Sequence, residues 1–110
     1  MKIGLFGGTF NPIHLGHLRA AEEAREMLQL DRVLFIPSGN PPLKKKEIAE
    51  ASHRYRMTCL AVEGNPFFEV TDIEAVLPGK SYTVDTIEKL RDAYPEAELF
   101  FILGIDAFLD

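Results

Sequence analysis

The chain has 110 residues and a formal net charge of −5 at neutral pH, and 46% of its residues are hydrophobic. This size corresponds to one domain or a part of one, and the composition is typical of a folded globular protein. The negative charge argues against a general nucleic-acid or membrane-surface binder, so an anionic ligand must be held by local groups. A single cysteine, Cys59, excludes an internal disulfide framework and a thiolate cluster for zinc. No signal segment or apolar run of about 18 residues occurs, so the default expectation is a cytoplasmic protein.

The first part of the chain predicts a strand, a helix, a second strand and a loop. Lys2–Phe6 is short, apolar and followed by two glycines, which is typical of a buried strand. Beyond Pro12, apolar residues recur at helical spacing, at Leu18, Ala21, Ala24 and Leu28. Arg32–Pro37 predicts a second strand. Ser38–Ala49, with its proline pair and three consecutive lysines, predicts a loop.

The alternation continues with a second helix over about residues 52–63, ended by the sequence Gly-Asn-Pro. Its expected inward residues are Met57, Leu60 and Ala61. A third strand is predicted within Phe67–Leu77, with Phe68 and Val70 on one face.

A third helix is predicted after Ser81, with its apolar residues at Val84, Ile87, Leu90 and Tyr94. Glu98–Leu103 predicts a fourth strand, apolar enough to be covered on both faces. Strands that alternate with helices predict right-handed crossovers, a parallel sheet and therefore an α/β fold.

Ligands of such sheets bind beyond the carboxyl ends of the strands. This rule predicts that four segments gather at one edge of the sheet: Gly7–His17, Ser38–Lys46, a segment around Ser81–Thr83, and Gly104–Asp106. Residues 104–110 resemble the start of a further helix without a cap, and the fourth strand would lie at an apolar sheet edge. We therefore expect the chain to be the first half of a longer protein.

The segment GLFGGTFNPIHLGHL, Gly4–Leu18, places two glycines after the first strand and two histidines just before the helix. Gly8, after Gly7, would let backbone N–H groups approach a phosphate, although glycine pairs also occur in ordinary tight turns. The Thr9 hydroxyl could bond either a phosphate or the backbone of the turn itself.

His14 and His17 are three residues apart and would share a face at the first turn of a helix. The free N–H groups and the helix dipole favour anions there, and a bound triphosphate would favour the imidazolium form. A structural zinc site would need a third ligand nearby, and His53 is the only other histidine. A pair of inert core histidines is another interpretation, although Gly16 leaves the backbone bare where a ligand could lie.

The combination GGTFNPIHLGH resembles the signature of the HxGH nucleotidyltransferase superfamily, which includes adenylyl- and cytidylyltransferases. Four later segments, IPSGNPPLKKK, HRYRM, SYTVDTIEKLR and FFILGIDAF, resemble bacterial nicotinate mononucleotide adenylyltransferases in order and spacing. The similarity covers essentially the whole chain. It implies a Rossmann-like, doubly wound parallel sheet, truncated after the fourth strand. Residues 1–110 would be the N-terminal nucleotide-binding portion of a single nucleotidyltransferase domain.

The activity that the resemblance implies is transfer of the adenylyl group from ATP, with Mg²⁺, to nicotinate mononucleotide. The products would be nicotinate adenine dinucleotide and pyrophosphate, in NAD biosynthesis. The mononucleotide phosphate would attack the α-phosphorus in line, so catalysis would come from positioning and charge stabilisation. The implied partners are these small molecules, with no nucleic acid and no membrane, and a homo-oligomer stays open.

The resemblance also implies roles for individual residues. His14 and His17 would contact the ATP phosphates, with His17 as the first choice for stabilising the transition state. The other ATP and phosphate contacts would come from Gly8, Thr9, Phe10, Lys44, Gly104 and Asp106. Tyr82 and Thr83 would bind the pyridine carboxylate of nicotinate mononucleotide through backbone N–H groups.

The chain departs from the family pattern in two places. Leu43 stands where the family has a histidine, so one donor is lost and Lys44 or Lys46 would have to compensate, unless the lysine run is only a solvated charge. The family's Ser/Thr-rich motif ending in arginine and its later aromatic segment are absent, so these 110 residues alone would be weakly active or inactive. Arg54, in HRYRM, matches a family element and could instead anchor a loop.

Two other functions stay open at this point. One is a nucleotidyltransferase of the same superfamily with a different phosphorylated acceptor. The other is a non-catalytic module that binds nucleotide or associates with itself.

Overall fold

The structure is a computed structural model that describes residues 1–10, 12–39, 50–74 and 83–102. Within these ranges, strands and helices alternate along the chain: β1 (Lys2–Gly8), α1 (Leu15–Leu28), β2 (Arg32–Pro37), α2 (Ala51–Val62), β3 (Phe68–Val70), α3 (Thr83–Ala93) and β4 (Glu98–Ile102). The strands pair in parallel, in the order β3-β2-β1-β4. The predicted α/β fold with a parallel sheet is therefore confirmed.

Strand β1 lies in the middle of the sheet, where Leu5 pairs with Leu34 on one side and Phe101 on the other. Both faces of β1 are covered, because Leu5 and Phe6 are almost completely buried although they point in opposite directions. Gly4 makes room for this packing: a Cβ atom there would lie 2.6 Å from a methyl group of Leu30, whose side chain would have to move. The strand thus has the continuous apolar sequence that a doubly covered strand needs.

Two apolar clusters hold the layers together, one on each face of the sheet. The first contains residues of β1, β2, α1, α2, β3 and the two loops on either side of α1, namely Phe6, Phe10, Ala21, Leu30, Val33, Phe35, Val62 and Phe68. The second contains residues of β1, β2 and α3, namely Ile3, Leu5, Leu34, Ile36 and Leu90. Helices α1 and α2 therefore cover one face and α3 covers the other, which is the doubly wound arrangement.

The predicted inward face of α2 is wrong. Leu60 is 62% exposed, whereas Arg54 and Thr58 are completely buried. The buried residues of this helix, Ala51, Arg54, Thr58 and Val62, recur every three to four positions. The helix is thus rotated relative to the prediction because a buried arginine, and not an apolar residue, occupies the centre of its inner face.

Strand β4 has contacts on both faces, but its residues are only partly buried or exposed, so it is covered less completely than predicted. Leu99 packs against the second cluster, and Phe100 and Ile102 pack against the first. Phe101 is 42% exposed, so the cover is incomplete near the end of the strand. Among the described helices, none is both long and apolar enough to cross a membrane.

Candidate active site

The carboxyl ends of β1 and β2 lie side by side at one edge of the sheet. Gly8 and Pro37 are register partners, and the Ser38 N–H donates to the Gly8 carbonyl oxygen at 2.9 Å. The chain leaves β1 through Thr9 and reaches α1 within a few residues. The structure therefore brings together the first two segments that the sheet-edge rule predicted, as far as each is described.

Phe10 connects this edge to the apolar core. Its backbone φ is +48°, in the left-handed region that non-glycine residues seldom occupy. The side chain is 3% exposed, and its ring centroid lies 5.5 Å from that of Phe6 and 5.9 Å from that of Phe35. This packing offsets the cost of the backbone conformation. Phe10 was expected to line the phosphate site, and with its ring in the core it can do so only through its backbone.

Gly8 leaves room for that ring. A Cβ atom on Gly8 would lie 3.0 Å from one carbon of the Phe10 ring and 3.2 Å from another. These separations are shorter than the usual contact between carbon atoms. The glycine therefore allows the Phe10 ring to fold back over the end of β1.

The two histidines form a reciprocal cap at the start of α1. His14 is the N-cap residue, and its Nδ1 accepts a hydrogen bond from the Gly16 N–H at 3.1 Å. The Nδ1 atom of His17 accepts from the His14 N–H at 3.0 Å. The two imidazole rings lie 3.8 Å apart between centroids, tilted by 31°. Histidines thus take the places that serine or threonine and glutamate usually take in a capping box.

These caps determine the tautomer of both imidazoles. A ring nitrogen that accepts a hydrogen bond carries no proton, so the proton of each neutral ring is on Nε2. Each histidine therefore carries an N–H donor on the nitrogen that the cap does not use. With this tautomer a neutral ring would offer one donor to an anion, and the imidazolium form that a bound triphosphate would favour stays a prediction.

The histidine pair is also held by aromatic contacts. The His17 ring lies edge-on to the Phe10 ring, with the centroids 5.1 Å apart, and 6.2 Å from the Phe6 ring. His14 is exposed, whereas His17 is partly buried. Helix α1 has no acidic residue in its first turn, so the positive end of its dipole is not neutralised by its own side chains. The arrangement favours an anion next to these rings.

Gly16 has a structural role that the sequence did not show. A Cβ atom there would lie 2.9 Å from Cε1 and 3.0 Å from Nδ1 of His14. The glycine therefore makes room for the capping imidazole of His14, and this role does not depend on a ligand.

We expect Gly16→Ala to give no net stabilisation, although alanine normally favours a helix over glycine by about 1 kcal/mol. The new methyl group would displace the His14 ring, and losing an N-cap costs about 0.5–2 kcal/mol. In a His14→Ala background the clash is absent, so the same substitution should stabilise the helix. Urea unfolding of the four variants would measure the coupling, expected to be about 1 kcal/mol. Equal effects in both backgrounds would contradict this account of Gly16.

Arg54 links the loops that follow β1 and β2 through hydrogen bonds to their carbonyl groups. Its side chain is completely buried, and Nη1 donates to the Thr9 carbonyl oxygen at 2.8 Å and the Ser38 carbonyl oxygen at 2.9 Å. Nη2 donates to the Gly39 carbonyl oxygen at 3.1 Å. Burial lowers the pKa of the guanidinium from its ordinary value, and arginine nevertheless stays charged in proteins. Of the two roles that the sequence left open for Arg54, the structure shows the loop anchor.

The family model for cytidylyltransferase-like proteins matches residues 5–110. The chain belongs to the cytidylyltransferase-like family. Two similar relatives are each named probable nicotinate-nucleotide adenylyltransferase, one from Pelobacter propionicus, 57% identical, and one from Thermus thermophilus, 56% identical. Both alignments cover all of this chain, but only 51% and 59% of the respective relatives. The chain thus spans about half of their length.

A solved structure shares the fold of this cytidylyltransferase-like chain. It is the Plasmodium falciparum nicotinic acid mononucleotide adenylyltransferase complexed with NaAD, with a TM-score of 0.76 and 17% identity. The match covers 91% of this chain and 50% of that one. At this identity the likeness supports the Rossmann-like fold, and the substrates must be argued separately.

Several site residues expected from the sequence lie outside the part of this cytidylyltransferase-like chain that the structure describes. They are Lys44 with its neighbours Leu43 and Lys46, Tyr82, Gly104 and Asp106. Thr83 begins α3, but its side chain is also outside the description. In the described ranges, no group of three His, Cys, Asp or Glu residues is arranged to hold a metal ion.

Proposed function

We propose that the protein to which this chain belongs transfers the adenylyl group of ATP to nicotinate mononucleotide, releasing pyrophosphate. The observation that carries the proposal is the capped histidine pair at the start of α1, which presents imidazole N–H donors where an anion is favoured. The names of the relatives at 56–57% identity supply the choice of substrates.

The reaction requires a place where two phosphates meet and charge is stabilised. In the proposed mechanism the mononucleotide phosphate attacks the α-phosphorus of ATP in line, and pyrophosphate leaves. Negative charge builds up on the oxygens of the reacting phosphates. The Nε2–H groups of His14 and His17 would donate to these oxygens, together with backbone N–H groups near Gly8, Thr9 and Phe10. Since the phosphate of the mononucleotide is itself the nucleophile, no covalent enzyme intermediate is needed. The rate would depend on how the two substrates are positioned.

Magnesium belongs to the substrate in this proposal. The described groups of the site are N–H donors, which suit phosphate oxygens and do not suit a cation. The ion would therefore enter with the triphosphate of ATP, and no step is assigned to a metal held by the protein. We also infer a cytoplasmic location, where ATP and the mononucleotide are available.

The remaining contacts are proposed from the family resemblance. Lys44 would bind phosphate, and Gly104 and Asp106 would bind adenosine. Tyr82 and Thr83 would bind the nicotinate carboxylate. Residues 1–110 would be the N-terminal, nucleotide-binding part of one catalytic domain.

An acceptor competition assay on the full-length protein tests the proposal. ATP would be supplied with nicotinate mononucleotide, nicotinamide mononucleotide or pantetheine phosphate, and the adenylylated products separated by chromatography. We expect nicotinate adenine dinucleotide as the main product, with pyrophosphate released in equal amount. Adenylylation of pantetheine phosphate but not of nicotinate mononucleotide would replace the proposed acceptor, and no adenylylation of any of the three would reject the transferase function.

A further inference from the structure

We propose that Arg54 is a positioning residue that turns two backbone N–H groups toward the phosphate site. It lies on α2, and its guanidinium is buried beneath the loops that follow β1 and β2. The inference rests on the proposed function, because it assigns to Arg54 a part in binding the reacting phosphates.

The hydrogen bonds of Arg54 fix the orientation of two peptide units. The carbonyl group of Thr9 shares a peptide with the N–H of Phe10, and the carbonyl group of Ser38 shares one with the N–H of Gly39. In a planar trans peptide the C=O and N–H bonds point in opposite directions. Because Nη1 holds both carbonyl oxygens, at 2.8 and 2.9 Å, the N–H groups of Phe10 and Gly39 point away from the guanidinium.

These two N–H groups belong to neighbouring loops at the carboxyl edge of the sheet. Gly8 and Pro37 are paired immediately before the loops, so Phe10 and Gly39 each follow a strand end by two residues. Backbone N–H groups turned to one side at the edge of a sheet offer donors to an anion. The buried positive charge of Arg54 below them adds to the favourable potential for a phosphate.

The position requires an arginine. Its planar fork presents several N–H donors in fixed directions, and here it reaches carbonyl groups on two separate loops, including Gly39 through Nη2. A lysine has one compact ammonium group and cannot span the same set of acceptors in the same geometry. Arg54 would affect the position of His17 only indirectly. It holds the carbonyl group of Thr9, and the ring of the next residue, Phe10, lies 5.1 Å from the ring of His17.

The first experiment uses the wild-type full-length protein and inorganic pyrophosphate as the probe. Backbone amide resonances would be followed by NMR during the titration. The amides of Phe10 and Gly39 should be among those that shift most, together with those at the start of α1. Saturation without any response of these two amides would overturn the inference, even if the protein makes nicotinate adenine dinucleotide. Their response in a protein that does not adenylylate nicotinate mononucleotide would leave the inference standing while the proposed function fails.

The second experiment compares Arg54→Lys with Arg56→Met, a control at an exposed position of the same helix. We expect Arg54→Lys to lower the turnover number by about 10- to 100-fold and to weaken pyrophosphate binding, because small displacements of positioned groups have effects of this size. The Phe10 and Gly39 amide resonances should also move in this variant. Arg56→Met should leave all three quantities unchanged. A folded Arg54→Lys protein with turnover and pyrophosphate affinity within twofold of wild type would overturn the inference, and an unfolded one leaves the wild-type titration to decide.

Discussion

Replacing His17 by asparagine in the full-length protein is expected to lower turnover by about a hundredfold or more, the scale for losing one transition-state donor. The asparagine amide oxygen can reach the position of Nδ1 and keep the hydrogen bond from the His14 N–H, which measures 3.0 Å with histidine. It places no donor at the position of Nε2. The variant should therefore keep the cap of α1, measured as unchanged stability in urea unfolding. It should lose most of the turnover, measured as product formation.

His17→Gln provides the complementary control. The longer side chain can place its amide N–H near the position of Nε2 but cannot easily accept the hydrogen bond from His14. We expect it to retain more turnover than His17→Asn, and to lose about 1 kcal/mol of stability because the cap is weakened. Turnover of His17→Asn within a few-fold of wild type would remove His17 from the catalytic role.

Truncating the central aromatic residue of the core should have the largest effect on stability. Phe35 is completely buried, and its ring centroid lies 5.5 Å from that of Phe6 and 5.1 Å from that of Phe68. We expect Phe35→Ala to lower the free energy of unfolding by about 3–5 kcal/mol, through lost burial and the cavity left behind. Urea unfolding would measure it as a lower midpoint. Because small domains are stable by only about 5–15 kcal/mol, such a loss is a large fraction of the total stability.

Phe101→Ala serves as the matched control for this prediction. Phe101 is also a phenylalanine in a strand of the same sheet, but it is 42% exposed. Its truncation should cost clearly less, since part of its surface is in water in the folded protein. Equal losses for the two variants would show that the aromatic cluster around Phe35 does not dominate the stability of the sheet.

Periodicity and turn residues predicted most of the fold. The second strand was predicted at Arg32–Pro37 and is observed with the same bounds, because an apolar run ended by proline has few alternatives. The inner face of α2 was not predicted. Periodicity places a charged residue on the outside, whereas Arg54 is buried by hydrogen bonds to carbonyl groups of Thr9, Ser38 and Gly39, far away in the sequence. Such acceptors are known only once the chain is folded.

The site was predicted in its parts but not in its geometry. The sequence placed His14 and His17 near one another at a helix start, and the structure agrees. It did not show that they cap the helix for each other, nor that Phe10 has a positive φ. One signal was available in the sequence. The segment Pro12–Leu18, around the helix start, contains no Ser, Thr, Asp or Asn, so its histidines are the only side chains there that can cap the helix. Whether the site residues bind substrate stays a prediction.

The central position of β1 has a consequence for folding during synthesis. Its pairing with β2 can form once residue 37 has left the ribosome, but its other edge is completed only by β4, where Lys2 pairs with Glu98. Until then this apolar strand keeps a row of unpaired backbone groups, which can template incorrect pairing. Closing so long a loop is also slow, because it costs chain entropy before any contact is gained. Strand β1, which is synthesised before the other three described strands, is therefore among the last of them to reach its final environment.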